Sequence, residues 1–168
     1  VSTSSTKRRV LLDSHEKDVG DRAYEICEAV ELDGFASCMK TAGLLHDEGK
    51  RDSRFQRLLG YGRPLAKVYA KSGFASRGFE RRFRSQMHLI GWRHEQRSAA
   101  EAWIRLSGES VSNRELITRM VGATHGHGLN TFDHGSDTLL PENEEVSDEL
   151  RNAASDLFDG GYWEYLVE

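Results

Sequence analysis

Apolar residues recur at helical spacing along most of the chain. The first predicted helix is capped at Asp13 or Ser14 and ends at Gly34. Its apolar stripe consists of Val19, Ala23, Ile26, Cys27 and Val30. A second predicted helix runs up to His46, and Gly49 suits its left-handed C-terminal turn. The apolar face of this second helix consists of Phe35, Met39, Ala42 and Leu45.

The same periodicity predicts shorter helices further along the chain. One starts at Asp52 or Ser53 and is closed by Gly60. A further helix is predicted from the apolar residues Ala99, Ala102, Trp103 and Leu106. The next is capped at Asn113 and has the apolar residues Leu116, Ile117, Met120 and Val121. The last follows Ser147 and has the apolar residues Leu150, Ala154 and Leu157. Residues 60–92 are rich in glycine and arginine and only weakly periodic, which predicts a long basic loop. Because no alternating run predicts a sheet, the expected fold class is all-α.

The composition is typical of one soluble globular domain. With 168 residues, 38% of them hydrophobic and 30% charged, residues 1–168 fit a single domain. The apolar runs, such as Val10 to Leu12, are far shorter than a membrane span or the core of a signal peptide, so we expect a cytoplasmic protein with no membrane partner. Cys27 and Cys38 fit no metal-site spacing and are expected to be ordinary buried thiols.

The net charge of −4 hides a strong segregation of charge along the chain. Residues 50–97 contain 13 Lys or Arg against three acids, a local balance of +10. Residues 133–168 contain 11 acids against one base, a local balance of −10. Such a pattern fits either a solvated surface whose charges partly neutralise one another or a basic half that meets an anion such as a phosphate backbone.

The histidines are the strongest candidates for chemistry. Four of them lie where a predicted helix begins, ends or turns, namely His15, His46, His94 and His125. Side chains at the ends of packed helices can converge on one point. His46 is followed directly by Asp47, so one turn supplies an imidazole and a carboxylate, a pair that suits Fe, Mn, Ni, Co or Zn. A metal site is therefore one interpretation of this pattern.

Four separated segments, in order, resemble the HD-domain phosphohydrolases, and in particular the nuclease domain of the CRISPR-associated helicase-nuclease of type I systems. The run His46-Asp47-Glu48-Gly49-Lys50, followed by Arg54-Phe55-Gln56, is similar to that family's His-Asp-x-Gly-Lys motif and its continuation, and Leu65-Ala66-Lys67 is a secondary match. Gly91-Trp92-Arg93-His94-Glu95 resembles the third histidine motif, and His125-Gly126-His127-Gly128 the later histidine and glycine element. The resemblance runs from Leu11 to Leu129.

The resemblance implies an α-helical HD domain that cleaves single-stranded DNA with one or two divalent transition-metal ions, Mn, Fe, Ni or Co in preference to Mg or Zn. Asp47 would bridge two ions, because a carboxylate has two oxygens and an imidazole nitrogen serves one ion. His15 and His46 would complete the ligands of one ion, and His94 and His125 those of the other. Lys50 would act as a catalytic group that offers its ammonium to the phosphate. The implied partners are a helicase domain or subunit and the CRISPR surveillance complex.

Two features depart from the family pattern. Thr124 stands where the family commonly has a further histidine, and His127 could replace that ligand in a glycine-flanked turn, or one ion is held in place of two. The last family aspartate has no recognisable local motif here; its candidates are Asp133, Asp137, Asp156 and Asp159. The chain starts at Val1 and stops inside an apparent helix, which is expected of a piece of a longer helicase-nuclease in which the missing ligand lies further on.

An arginine cluster adjoins His94 in the sequence and is predicted to bind the nucleic-acid backbone. It consists of Arg77, Arg81, Arg82, Arg84 and Arg93. Trp92 is expected either to stack on a base or to pack in the core. Two other functions stay open: an HD phosphohydrolase acting on nucleotides or cyclic dinucleotides, and a non-catalytic HD module that binds a partner. The arginine-rich loop favours the nuclease, because a small-molecule enzyme needs a closed pocket.

Overall fold

The structure is a computed structural model that describes residues 9–71, 76–124, 132–142 and 144–166. This part of the chain is mostly helical. Its elements are β1 (Val10–Leu11), α1 (Leu12–Ala29), α2 (Asp33–Leu45), a 3₁₀ turn (Glu48–Arg51), α3 (Ser53–Leu59), β2 (Tyr69–Lys71), α4 (Arg77–Gln86), α5 (His94–Arg105), α6 (Val111–Gly122), α7 (Ser136–Leu139), α8 (Asp148–Phe158) and α9 (Tyr162–Tyr165). Within the described segments, no helix combines the length and the apolar character that crossing a membrane requires.

Helix α5 lies at the centre of the fold and packs on the 3₁₀ turn, α2, α6 and α8. Its inward residues are small, with Ala99, Ala100 and Ala102 fully buried, so neighbouring backbones can come close. At Gly49 an added Cβ would lie 2.2 Å from the carbonyl oxygen of His94. Gly49 therefore allows backbone contact between the 3₁₀ turn and α5, and it does not form the left-handed C-terminal turn predicted for it.

Two apolar clusters flank α5. The larger joins α3, α4, α5, α7 and α8 through Phe55, Leu58, Phe83, Leu89, Trp92, Ala100, Leu139, Leu140, Leu150, Ala154 and Leu157. The smaller joins α2, α5 and α6 through Ala42, Leu45, Ala102, Leu106, Ile117 and Val121. Of the two predicted starts of α3, Asp52 is the cap, since its side chain accepts a hydrogen bond from the backbone N–H of Arg54. The helix predicted after Ser147 is also present as α8, and the Ser147 side chain caps it by accepting from the N–H of Leu150.

The first helix differs from its predicted form. It begins at Leu12 with no side-chain cap, because the backbone N–H of Leu12 donates to the carbonyl of Val68 at 3.0 Å as β1 pairs with β2. It ends at Ala29, before Gly34, which lies inside α2. The helix closes with Glu31 at φ 59°, in the left-handed position that glycine usually takes. Part of the predicted stripe, Ile26 and Val30, is exposed.

The predicted long basic loop over residues 60–92 is wrong in two places. Tyr69–Lys71 forms β2, which pairs antiparallel with β1, and two strands of three residues or fewer are too short to show alternation in the sequence. Arg77–Gln86 forms α4, capped by Ser76. Its periodicity rests on Phe79 and Phe83, four residues apart, and is hidden by the arginines around them. Helix α6 is likewise capped by Ser110 and not by Asn113.

Candidate metal centre

Three imidazoles and one carboxylate meet where α1, α2 and α5 begin or end. His15 lies in the first turn of α1, His46 directly follows α2, and His94 opens α5. Asp47, next to His46, has no exposed surface. The structure thus places His15, His46 and His94, all predicted from sequence, against the carboxylate of Asp47. His15, His46 and Asp47 each offer a ligand atom within 4.8 Å of the others.

Both oxygens of the Asp47 carboxylate face imidazole nitrogens. The Oδ2 atom lies 3.4 Å from Nε2 of His15 and 3.3 Å from Nε2 of His46. The Oδ1 atom lies 3.4 Å from Nε2 of His94. Asp47 therefore contacts histidines from three helices through both of its oxygens.

The second ring nitrogens show why the Nε2 atoms suit a cation. Nδ1 of His46 donates to the carbonyl of Gly43 at 2.7 Å, so a neutral His46 carries its lone pair on Nε2. Nδ1 of His94 lies 3.3 Å from the buried carboxylate of Glu95, which favours the same tautomer. In this tautomer the lone pair of Nε2 faces a carboxylate oxygen, and two electron-rich atoms repel each other. A divalent ion between them would be coordinated by both atoms. The donor set of imidazole nitrogen and carboxylate oxygen fits such an ion.

The local electrostatics keep two of the imidazoles neutral. Burial lowers the pKa of His15, although Asp47 acts to raise it. Burial also lowers the pKa of His94, although its hydrogen bond to the Asp47 carboxylate acts to raise it. Burial acts against the charge on His46 as well, but the hydrogen bond and the negative charge of Asp47 outweigh it and raise the pKa of His46. Neutral imidazole is the form that binds a metal, so His15 and His94 are ready for that role at neutral pH.

Lys50 contacts the same carboxylate. Its Nζ donates to Oδ2 of Asp47 at 2.6 Å, and its side chain is 7% exposed. Lys50 is therefore a buried partner of the site and not a solvent-facing lysine. Its ammonium already places one positive charge on Asp47, and it sits within reach of any anion held at the centre.

A layer of charged residues that the sequence did not identify supports the centre. Arg51 donates to Glu16 at 2.9 Å and to Glu48 at 2.7 Å, and both carboxylates are buried. Glu16 follows His15 in the chain, and Glu48 follows Asp47. Arg51 also reaches Asp13 at 2.8 Å. Arg51, Glu16, Glu48 and Asp13 form a group, called the Arg51 clamp below, that ties the first turn of α1 to the 3₁₀ turn. The sequence signal for this group was that Glu16 and Glu48 each directly follow a predicted ligand.

The predicted arginines divide between two surfaces. Arg77, Arg81, Arg84 and Arg93 line a cleft of about 770 Å³ that reaches His94 and Glu95, whereas Arg82 is not part of its lining. Trp92 also lines this cleft but is only 4% exposed, and it stacks on Phe55 with ring centroids 5.6 Å apart. Packing in the core is therefore the role of Trp92 here.

Several predicted ligands do not join the centre, or cannot be described. His125 and His127 lie outside the described residues. The aspartates considered for the last ligand, Asp133, Asp137, Asp156 and Asp159, are exposed, and none belongs to the group of convergent ligand atoms found among the described residues. Asp159 instead accepts hydrogen bonds from Ser136 at the start of α7. Thr124 donates its hydroxyl to the carbonyl of Val121.

Comparison with known proteins gives no family for the chain: no family profile, curated protein or solved structure matches it.

Proposed function

We propose that this chain is a metal-dependent HD phosphohydrolase that cleaves single-stranded DNA, as its motifs imply. The observation that carries the proposal is the meeting of His15, His46 and His94 around the buried Asp47. Three imidazoles drawn from three helices onto one carboxylate form an arrangement that packing alone does not require. The order of these residues in the chain, with His46 and Asp47 adjacent, is the order of the HD motif.

In this proposal, His15, His46 and Asp47 would hold one ion, and Asp47 and His94 would contribute to a second. Divalent ions at such a site supply Lewis-acid activation of water and of a phosphoryl oxygen. Asp47 would supply a carboxylate oxygen on either side, Oδ2 beside His15 and His46 and Oδ1 beside His94. The carbonyl of Gly43 fixes the tautomer of His46, and the carboxylate of Glu95, 3.3 Å from Nδ1 of His94, favours the same tautomer there.

Lys50 has a separate role in the proposed reaction. Its ammonium rests on Oδ2 of Asp47, and the side chain is buried beside the proposed ligands. From this position Lys50 would stabilise the negative charge that grows on the oxygens of the scissile phosphate.

A polynucleotide substrate is favoured by the surface next to the centre. The cleft at His94 is lined by four arginines and two glutamates, so its lining is cationic. By the resemblance given above, a helicase domain or subunit would deliver the strand, within type I CRISPR interference. A cytoplasmic location fits that role.

Metal analysis combined with hydrolysis assays tests the proposal. The chain is purified without chelator, its metal content is measured per chain, and single-stranded DNA, duplex DNA and a deoxynucleoside triphosphate are offered with Mn²⁺, Ni²⁺ or Co²⁺. We expect bound transition metal and cleavage of the single strand. Asp47→Asn should abolish both while the fold persists. The matched control is His88→Ala, since His88 is an exposed histidine outside the site.

Three results would contradict the proposal. Hydrolysis of the triphosphate alone would indicate a nucleotide hydrolase. A chain that binds no metal and hydrolyses none of these substrates would indicate a binding module. Cleavage retained in full by Asp47→Asn would place the chemistry elsewhere.

A further inference from the structure

The cleft beside His94 is walled by a single face of α4. Arg77, Arg81 and Arg84 recur at spacings of four and three residues, so they lie on the same side of the helix. Arg93 faces them from the segment 89–95, directly before His94. The cationic wall therefore ends at a residue of the metal centre.

Most of these guanidinium groups carry uncompensated charge. Arg84 pairs with Glu80 at 3.1 Å. Within the ranges that the structure describes, no carboxylate forms an ion pair with Arg77, Arg81 or Arg93, and all three are exposed. The other acid of the lining, Glu95, faces Nδ1 of His94. Three cations that face one cleft without anionic partners repel one another, and binding an anion there would relieve the repulsion.

The segment that carries Arg93 also contributes apolar residues to the lining of the cleft. Leu89 and Trp92 are buried, whereas Ile90 leaves 67% of its surface exposed. An exposed isoleucine beside unpaired arginines provides contact area for an apolar group carried next to an anion. A single strand offers such groups, because its phosphates alternate with bases whose apolar faces are exposed. In a duplex the base faces are stacked and cannot make this contact.

We propose that this surface is the binding groove for an unpaired strand and delivers its backbone to His94, with phosphates on Arg77, Arg81 and Arg93 and a base against Ile90. The inference deepens the proposed function and rests on it. Arg77 and Arg84 are seven residues apart, about 10 Å along the helix axis, so the wall extends past a single phosphate group. The groove thus takes a chain of nucleotides and not one isolated phosphate.

The sharpest test compares two neighbouring arginines of α4. Arg81 lines the groove, whereas Arg82 lies about 100° further round the helix and outside it. Arg81→Ala and Arg82→Ala remove the same charge from exposed positions of the same helix. Binding of a dye-labelled oligodeoxythymidylate to the full chain is measured by fluorescence anisotropy, with chelator present so that no cleavage occurs.

We expect Arg81→Ala to weaken strand binding by up to about fivefold and Arg82→Ala to leave it nearly unchanged. Arg81→Ala should also reduce the dependence of log affinity on log salt by about 0.7, the value of one phosphate contact on a single strand. Ile90→Ser should weaken strand binding without changing that salt dependence. Equal melting temperatures of the variants establish that the helix is intact.

Each alternative result has a definite meaning. Equal losses for Arg81→Ala and Arg82→Ala would show attraction by net charge alone and would overturn the groove. Duplex DNA bound as tightly as the single strand, or full displacement of the strand by equimolar inorganic phosphate, would overturn it as well. A chain that cleaves single-stranded DNA but shows no difference between Arg81 and Arg82 retains the proposed function and loses the groove. If strand binding depends on Arg81 but the chain never cleaves DNA, the groove is supported and the proposed nuclease function is lost.

Discussion

Replacing Arg51 with Met tests whether the Arg51 clamp holds the candidate centre together. The substitution removes the guanidinium but keeps an apolar stem of similar length. It leaves the buried carboxylates of Glu16 and Glu48 facing each other, with Glu48 still bonded to Arg105 at 3.0 Å. One oxygen of Glu16, Oε1, already has no hydrogen-bond partner among the described residues, so little remains to compensate its charge.

The magnitude follows from the bonds that are lost. A hydrogen bond to a charged group contributes about 1.5–3 kcal/mol. Two such bonds, to Glu16 and Glu48, involve buried carboxylates, whereas Asp13 is 83% exposed and adds little. Because the Arg51 side chain is itself 36% exposed, water replaces part of each bond. We expect Arg51→Met to lower the free energy of unfolding by about 2–4 kcal/mol, a fall in melting temperature of about 4–16 °C for a chain of this size.

The pH dependence supplies a second, independent check. Burial and the negative charge of Glu48 raise the pKa of Glu16 to about 7 even with Arg51 nearby. Since this native-state pKa lies above the unfolded value, the stabilisation from protonating Glu16 is present at low pH and is lost as pH rises through about 7. Removing Arg51 raises the pKa of Glu16 further. The stability deficit of Arg51→Met should therefore be larger near pH 8 than near pH 5.

Denaturant unfolding followed by circular dichroism at these two pH values measures the deficit. Arg22→Met is the matched control, because Arg22 makes an exposed pair with Glu25 and its loss should change stability little. An Arg51→Met chain that unfolds at the same denaturant concentration as Arg22→Met would refute the clamp. A deficit that grows as the pH falls would refute the assignment of Glu16 as the group responsible.

Three further outcomes are expected. Gly49→Ala should destabilise the fold by about 3 kcal/mol or prevent folding, because its Cβ would meet the backbone of His94, whereas Gly108→Ala, in open space, should not; thermal unfolding measures both. Glu31→Gly should stabilise the chain by about 0.5–1 kcal/mol by relieving the left-handed φ of 59°, and a lower denaturation midpoint would contradict this. Calorimetric affinity for Mn²⁺ should fall below about pH 6 as the imidazoles become protonated, starting with His46, whose pKa is raised; equal affinity at pH 5 and 7 would contradict coordination by histidine.

The ligands of the candidate centre could be found in the sequence because they follow from local rules. A histidine that ends one apolar helix and another that opens a later one must lie at helix ends, and packed helices bring such ends together. His46 and His94 were located in this way. The convergence itself needs the tertiary fold, in particular the contact between the 3₁₀ turn and α5 that Gly49 permits.

Other features depend on contacts that no local pattern encodes. Helix α4 was predicted to be a loop because its helical period rests on two phenylalanines among arginines, and only their packing in the larger cluster selects the helix. The start of α1 at Leu12 depends on Val68, more than fifty residues away in sequence. Arg81 and Arg82 lie on different faces because α4 is a helix, and only Arg81 lines the groove. Since this segment was predicted to be a loop, there was no reason in the sequence to separate the two residues.

The clamp and the ligands occupy adjacent positions, and helix geometry explains how one segment serves both. Successive residues of a helix point about 100° apart, so a turn that directs His15 at Asp47 directs Glu16 sideways, toward Arg51. At the start of the 3₁₀ turn, Asp47 faces the centre and the next residue, Glu48, faces the clamp. A change in the clamp is therefore expected to move the ligands, because the two buried carboxylates bound by Arg51, those of Glu16 and Glu48, each belong to a residue adjacent in the chain to a residue of the centre. Loss of metal affinity in Arg51→Met would follow from displacement of His15, with every ligand still present.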